Sequence, residues 1–158
     1  RRQPGTAVPL FRTSVDLLEK VGARIYAAEV LMGLGESQLL ADDLTSAAGT
    51  LEEALSLATA AQQNTEAAMT SVLLARLAMA RGEEQGALDQ MRIALQKLKA
   101  HASALDQGRA MVHAAWIAAR AGLRQEADGL LLGARDRFEA IHARHELEFV
   151  RQELARQT

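Results

Sequence analysis

The chain has no cysteine, only two prolines (Pro4 and Pro9) and 3% aromatic side chains. Without cysteine there is no disulfide framework, no thiolate metal site and no cysteine nucleophile. The scarcity of aromatic and β-branched residues removes the side chains that favour strands. No apolar run approaches the roughly 18–20 residues of a membrane-spanning helix, and no cationic-then-apolar leader opens the chain. Strong charge of either sign is also missing. A net charge of −2 gives no basis for a nucleic-acid footprint, which needs a basic domain or stripe. A cytoplasmic setting without membrane or nucleic-acid contact is the expectation.

What the chain does have is alanine, leucine, glutamate, glutamine and arginine, all strong helix formers. With 158 residues, 49% of them hydrophobic and 24% charged, it is long enough to bury a real core. The expected class is all-α.

The sequence repeats itself. Ser46–Leu55 (SAAGTLEEAL) returns in altered form as Gly86–Leu95 (GALDQMRIAL) and Glu126–Arg135 (EADGLLLGAR). Ala47, Ala87 and Ala127 share one column, Leu51, Met91 and Leu131 a second, and Ala54, Ala94 and Ala134 a third, all at a spacing of 40. One period earlier, Ala7, Phe11 and Ser14 keep the order small, large, small. A fixed period in this range marks a repeat architecture in which each unit cannot bury its apolar face alone. The turn positions Asp42, Gly82 and Gly122 follow the same period.

Helical periodicity and breakers divide the chain into a lead-in, residues 1–5, expected to be disordered, and a single array, 6–158. The array comprises a half repeat 6–22, repeats 23–62, 63–102 and 103–142, and a half repeat 143–158. That makes eight helices. Gly22 is read as the first break, Asn64 or Thr65 as one N-cap, and Ser103 with Asp106 as a capping box. Because the chain begins with Arg1 on a second helix and ends on a first helix, the expectation is that the natural polypeptide continues upstream.

Within each unit a residue pair ending in a small side chain marks the first helix, its first member large in three of four: Leu34-Gly35, Leu74-Ala75, Ala114-Ala115 and Leu154-Ala155. The small-large-small triplets above mark the second. This pattern resembles the tetratricopeptide repeat (TPR) family. The units are about six residues longer than the usual 34, and the proline common near the end of the second helix is replaced by Thr59, Lys99 and Glu139. Long, proline-free units are similar to arrays in large bacterial signalling ATPases, kinases and transcription regulators. The resemblance implies a right-handed superhelical solenoid of antiparallel helix pairs, with a concave groove lined by the first helices.

Carried over by column, that groove comprises Glu29, Met32, Glu36 and Leu39; Met69, Val72, Arg76 and Met79; Arg109, Val112, Trp116 and Arg120; and Phe149 and Arg156. Trp116, the single tryptophan, stands among arginines, the composition of a binding hot spot. The order acidic (Glu29, Glu36) then basic (Arg76, Arg109, Arg120, Arg156) would orient a peptide with its acidic end near the arginines. The Lys and Asn pattern with which chaperone-binding members hold a terminal carboxylate is not matched, since Met32 and Glu36 occupy the first such positions.

Chemistry-bearing arrangements are few. His142 and His145 lie three apart with Glu146 after them, but spacing fixes no third ligand for this histidine pair, so no metal is expected. His113 is read as a packed residue. Asp42-Asp43, Glu52-Glu53 and Glu83-Glu84 diverge around their helices and are read as helix-start and surface charges. No phosphate loop, nucleophile elbow or zinc-protease motif occurs. The expectation is therefore no enzyme and no cofactor, but a protein- or peptide-binding scaffold or sensor in a larger bacterial regulator. Two other readings are a small-molecule or sugar inducer sensor, and a homo-oligomerisation scaffold joined through the terminal helices, with Phe11 and Phe149 as the residues to test.

Overall fold

The computed structural model describes residues 4–20 and 26–157, with some side chains in the first and last helices left out. The described residues form eight helices and no strand. They are α1 (Pro4–Lys20), α2 (Ala27–Leu40), α3 (Leu44–Ala60), α4 (Asn64–Ala80), α5 (Glu84–His101), α6 (Ala104–Arg120), α7 (Arg124–Ala140) and α8 (Arg144–Gln157). The first helix starts at Pro4, ahead of the expected Thr6, so part of the supposed lead-in is helical. The proposed break at Gly22 lies outside the described residues.

Identical turns set the metre. Asp42, Gln62, Gly82, Gly122 and His142 all have positive φ, between 55° and 85°. At each, two bonds close the preceding helix. Asp43 N–H reaches Gln38 O at 3.0 Å and Asp42 N–H reaches Leu39 O at 3.2 Å; the same pair recurs from Glu83 and Gly82 to Ala78 and Met79 at 2.9 and 3.1 Å. These are Schellman closures, which satisfy the carbonyls a helix end leaves orphaned. A Cβ at Gly82 or Gly122 would meet nothing within 4 Å, so glycine is there for its left-handed backbone and not for space. The next residue is already the N-cap of the following helix, with Asp43 Oδ1 accepting from Ser46 N–H at 3.1 Å. The α4 cap is Gln63, not Asn64 or Thr65, because the turn ends one residue earlier than polar capping residues suggested.

A 17-residue helix and a three-residue turn make 20, and two such units make the 40-residue period. The six residues beyond the usual repeat are therefore spent in helices, each about 25 Å long. One joint differs. Between α5 and α6, Ala102 is extended (ψ 155°) and Ser103 caps α6: its hydroxyl accepts from Asp106 N–H at 3.1 Å and donates to the Asp106 carboxylate at 2.7 Å. The expected capping box is present, its second bond running to the hydroxyl rather than to a backbone donor.

The three repeating columns form the interior of the pairs. Ala47, Ala87, Ala127, Leu51, Met91, Leu131, Ala54, Ala94 and Ala134 are all at most 2% exposed. Their partners across the pair need to be small. A Cβ at Gly35 of α2 would stand 2.5 Å from Leu51 Cδ2 of α3, and one at Gly108 of α6 would run into the Phe138 ring of α7. Each of these partners lies about as far after the turn as the glycine lies before it, so the paired helices are antiparallel. First helices also touch one another, α2 with α4 and α4 with α6, while α5 and α7 meet through the Arg92–Glu126 ion pair at 2.9 Å. The result is an all-α, helical-repeat-like fold.

Candidate functional site

Residues 36, 76 and 116 occupy one column of the repeat, and α2, α4 and α6 bring Glu36, Arg76 and Trp116 to one face. His113 lies one turn before Trp116, so both project on that side of α6. Arg76 Nη1 lies 2.8 Å from His113 Nδ1, and His113 Nε2 lies 3.4 Å from Glu36 Oε1. A guanidinium can only donate, so Nδ1 is the acceptor in this contact and Nε2 is the ring nitrogen turned to the carboxylate. Glu36 and His113 belong to helices two pairs apart, and Arg76 stands between them.

The guanidinium of Arg76 also lies over the indole of Trp116, 4.6 Å from the ring centroid, and Arg120 lies over it at 5.5 Å. Both are within cation–π range. Burial lowers the pKa of Arg76 and the nearby Glu36 charge works in the opposite direction; the group stays charged. Trp116 is half-buried, resting on the core formed by Ala75, Met79, Met91 and Ile117 and leaving part of its ring toward solvent with exposed Arg120. Its packing and its surface presentation are thus not alternatives.

A second link of the same kind lies one pair further on. Arg109 Nη2 donates to Glu146 Oε1 at 3.0 Å, joining α6 to α8. That hydrogen bond, more than the accompanying charge attraction, holds the Glu146 carboxyl below its ordinary pKa range. The apparent gradient from acidic to basic is largely internal as a result: Glu36 faces His113 and Arg109 faces Glu146. Arg120 and Glu29 remain at the surface.

Several expected groove residues are not available to a ligand. Val72 is 0% exposed, Met79 5% and Met69 6%, all within the core. The reason is their helix. With α5 as its pair partner, α3 of the preceding pair against it and α2 and α6 as lateral neighbours, α4 is covered on most sides. Met32 and Val112 are half-buried against neighbouring clusters, and Leu39 is half-buried. Phe149 is 48% exposed on α8, and the side chain of Arg156 lies outside the described residues.

His113, read as a packed residue, is 7% exposed but is the pivot of the cluster. The signal for it was its position: 37 residues beyond Arg76, as Glu146 is beyond Arg109. Phe11 belongs to the α1–α2 contact, against Gly33, and not to an open terminal face. Among the described residues no three His, Asp or Glu side chains gather into a metal-holding group, and no helix is long and apolar enough to cross a membrane.

No family model matches the chain, and no curated protein matches it. Solved structures do. BtubC (BKLC) from P. vanneervenii aligns with 99% of this chain at a TM-score of 0.69 and 16% identity. This chain spans 66% of the length of that one. At such identity the likeness is one of fold.

Proposed function

We propose that this chain is a protein- or peptide-binding module of the TPR kind, a right-handed superhelix working as scaffold or sensor in a larger bacterial regulator. Its partner site would be the first-helix face around Trp116. The lateral contacts among α2, α4 and α6 support this face as the inner, concave one, since helices crowd on the inside of a curved stack. The observation that carries the reading is the cation–π stack of Arg76 and Arg120 on a half-buried tryptophan. A rigid ring with a cation over it presents apolar area and charge together, the usual make-up of an interface anchor. A segment bearing a carboxylate beside an apolar residue fits it. Response to the partner would travel as small rotations between pairs, because the cluster ties α2, α4 and α6 together.

The single tryptophan makes the test direct. Titration of acidic peptide pools should shift Trp116 emission saturably, and Arg120→Ala should weaken the binding of any peptide selected in this way. Selected peptides that leave Trp116 emission unchanged and bind the Arg120→Ala protein equally well would refute the site.

A second reading, self-association, is favoured by the large apolar residues left open on the terminal helices: Leu10 (70% exposed) and Leu17 (55%) on α1, and Phe149 on α8. A dimer in sedimentation that Leu17→Glu or Phe149→Glu dissolves would support it. Phe11→Glu is unsuitable because Phe11 packs inside.

A further inference from the structure

Where the turn pattern is broken, between α5 and α6, a cleft of about 240 Å³ opens between α5, α6 and α7. Leu95 and Leu98 of α5 and Met111 of α6 give it apolar walls, and Lys99 and Arg137 stand at it as cations. Arg137 is half-buried and fixed: Nε donates to Gln107 Oε1 at 3.0 Å and Nη1 donates to Gly133 O at 3.0 Å. Gln107 is fixed in turn, its Nε2 donating at 2.9 Å to Ala102 O, the carbonyl of the extended joint. The irregular joint thus orients Gln107, and Gln107 orients the guanidinium.

Both acceptors of Arg137 are neutral. Among the described residues no carboxylate lies within ion-pair distance of Arg137 or Lys99. A guanidinium carries five N–H donors, and these two bonds leave three. A half-buried cation held only by neutral acceptors has its charge unpaired, and a planar donor fork held in place suits one oxyanion.

We propose that this cleft binds a small amphiphilic anion, a carboxylate on a short aliphatic chain. The head would sit on Arg137 and Lys99, and the chain would lie along Leu95, Leu98 and Met111. At about 240 Å³ the cleft is smaller than the usual 300–1,000 Å³ ligand pocket, so it takes a single short chain. This site is separate from the Trp116 face, and its occupant would bridge α5 and α7, the second helices of successive pairs.

The test uses sodium octanoate below its micellar concentration, with methyl-labelled methionine followed by NMR. The Met111 methyl should shift saturably, and octanoate should bind at least roughly tenfold more tightly than octanol, as a charge-assisted hydrogen bond implies. Arg137→Gln should abolish that preference and Lys99→Gln should reduce it. Non-saturable shifts, equal binding of octanol, or an unchanged octanoate affinity in Arg137→Gln would overturn the proposal. If Arg137→Gln does not fold, the octanoate–octanol comparison on the unaltered protein still decides. Failure of octanoate where an acetylated Leu-Asp peptide moves the same methyl would overturn it in favour of a partner protein's acidic side chain.

Discussion

Two sets of columns run through this array on the same 40-residue period, and they behave oppositely. Inside the pairs the column of 47, 87 and 127 is alanine three times, and the column of 51, 91 and 131 is always a large aliphatic side chain. On the first-helix face, residues 36, 76 and 116 are Glu, Arg and Trp. Close packing explains the first set: at most 2% exposed within the pairs, these side chains have their volumes limited by the helix opposite. The second set lies where helix backbones do not limit volume, so chemistry can change while position is kept. Period fixes where a side chain stands, and packing fixes whether its identity is free.

The contrast can be broken from its most rigid side first. Phe138→Ala empties a site 1% exposed against Gly108 and should lower unfolding free energy by about 3–5 kcal/mol in urea melts. Gly108→Ala attacks the same crossing by overpacking and should lose about 1–3 kcal/mol, its gain in helix propensity notwithstanding. Equal stability of that variant would show that the crossing tolerates volume and would dissolve the contrast.

On the variable face, His113→Phe should lose about 1–3 kcal/mol by stranding the half-buried Arg76. The double variant His113→Phe with Arg76→Met should recover much of that loss, because no donor is then left unmatched. If the double variant is as unstable as the sum of its parts, the face is packed as tightly as the interior.

Acid probes the α6–α8 link. Glu146 has a folded pKa below its unfolded value of about 4.3, so its contribution is complete above that pH and is lost as pH falls through the lower folded value. Melting temperature should therefore decline over that acidic window more steeply in the unaltered protein than in Arg109→Gln. The smallest effect belongs to Arg92→Ala, whose exposed pair with Glu126 should move the melting temperature by no more than about a degree.

Most of the fold was legible because its determinants are local. Small residues at the crossings, positive-φ positions such as Gly82 and Gly122, and the Ser103 cap all announce themselves in sequence. The site was legible in part. Column position alone placed Trp116 beside Arg76 and Arg120. It failed for Met69, Val72 and Met79, because whether a column faces solvent depends on how many neighbours a helix has, and a middle helix has more than an end one. It missed the role of His113 because a single histidine carries no signal until the helices carrying Glu36 and Arg76 are brought to it. The Arg137 cleft was invisible for the same reason: its parts come from three helices and one exceptional joint.

The three-residue turns carry one more consequence, for how such a chain can change length. An extra residue in any helix rotates everything beyond it by about 100°. Inserted in α5, it would swing Trp116 and His113 away from Arg76 and turn the alanine crossings outward. Length can therefore grow or shrink only by whole helix-and-turn units, in practice by forties. A lineage of such proteins should differ by entire modules or by substitutions, with single-residue gaps gathered at the joint around Ala102, the one among the described residues that is not closed by a left-handed residue.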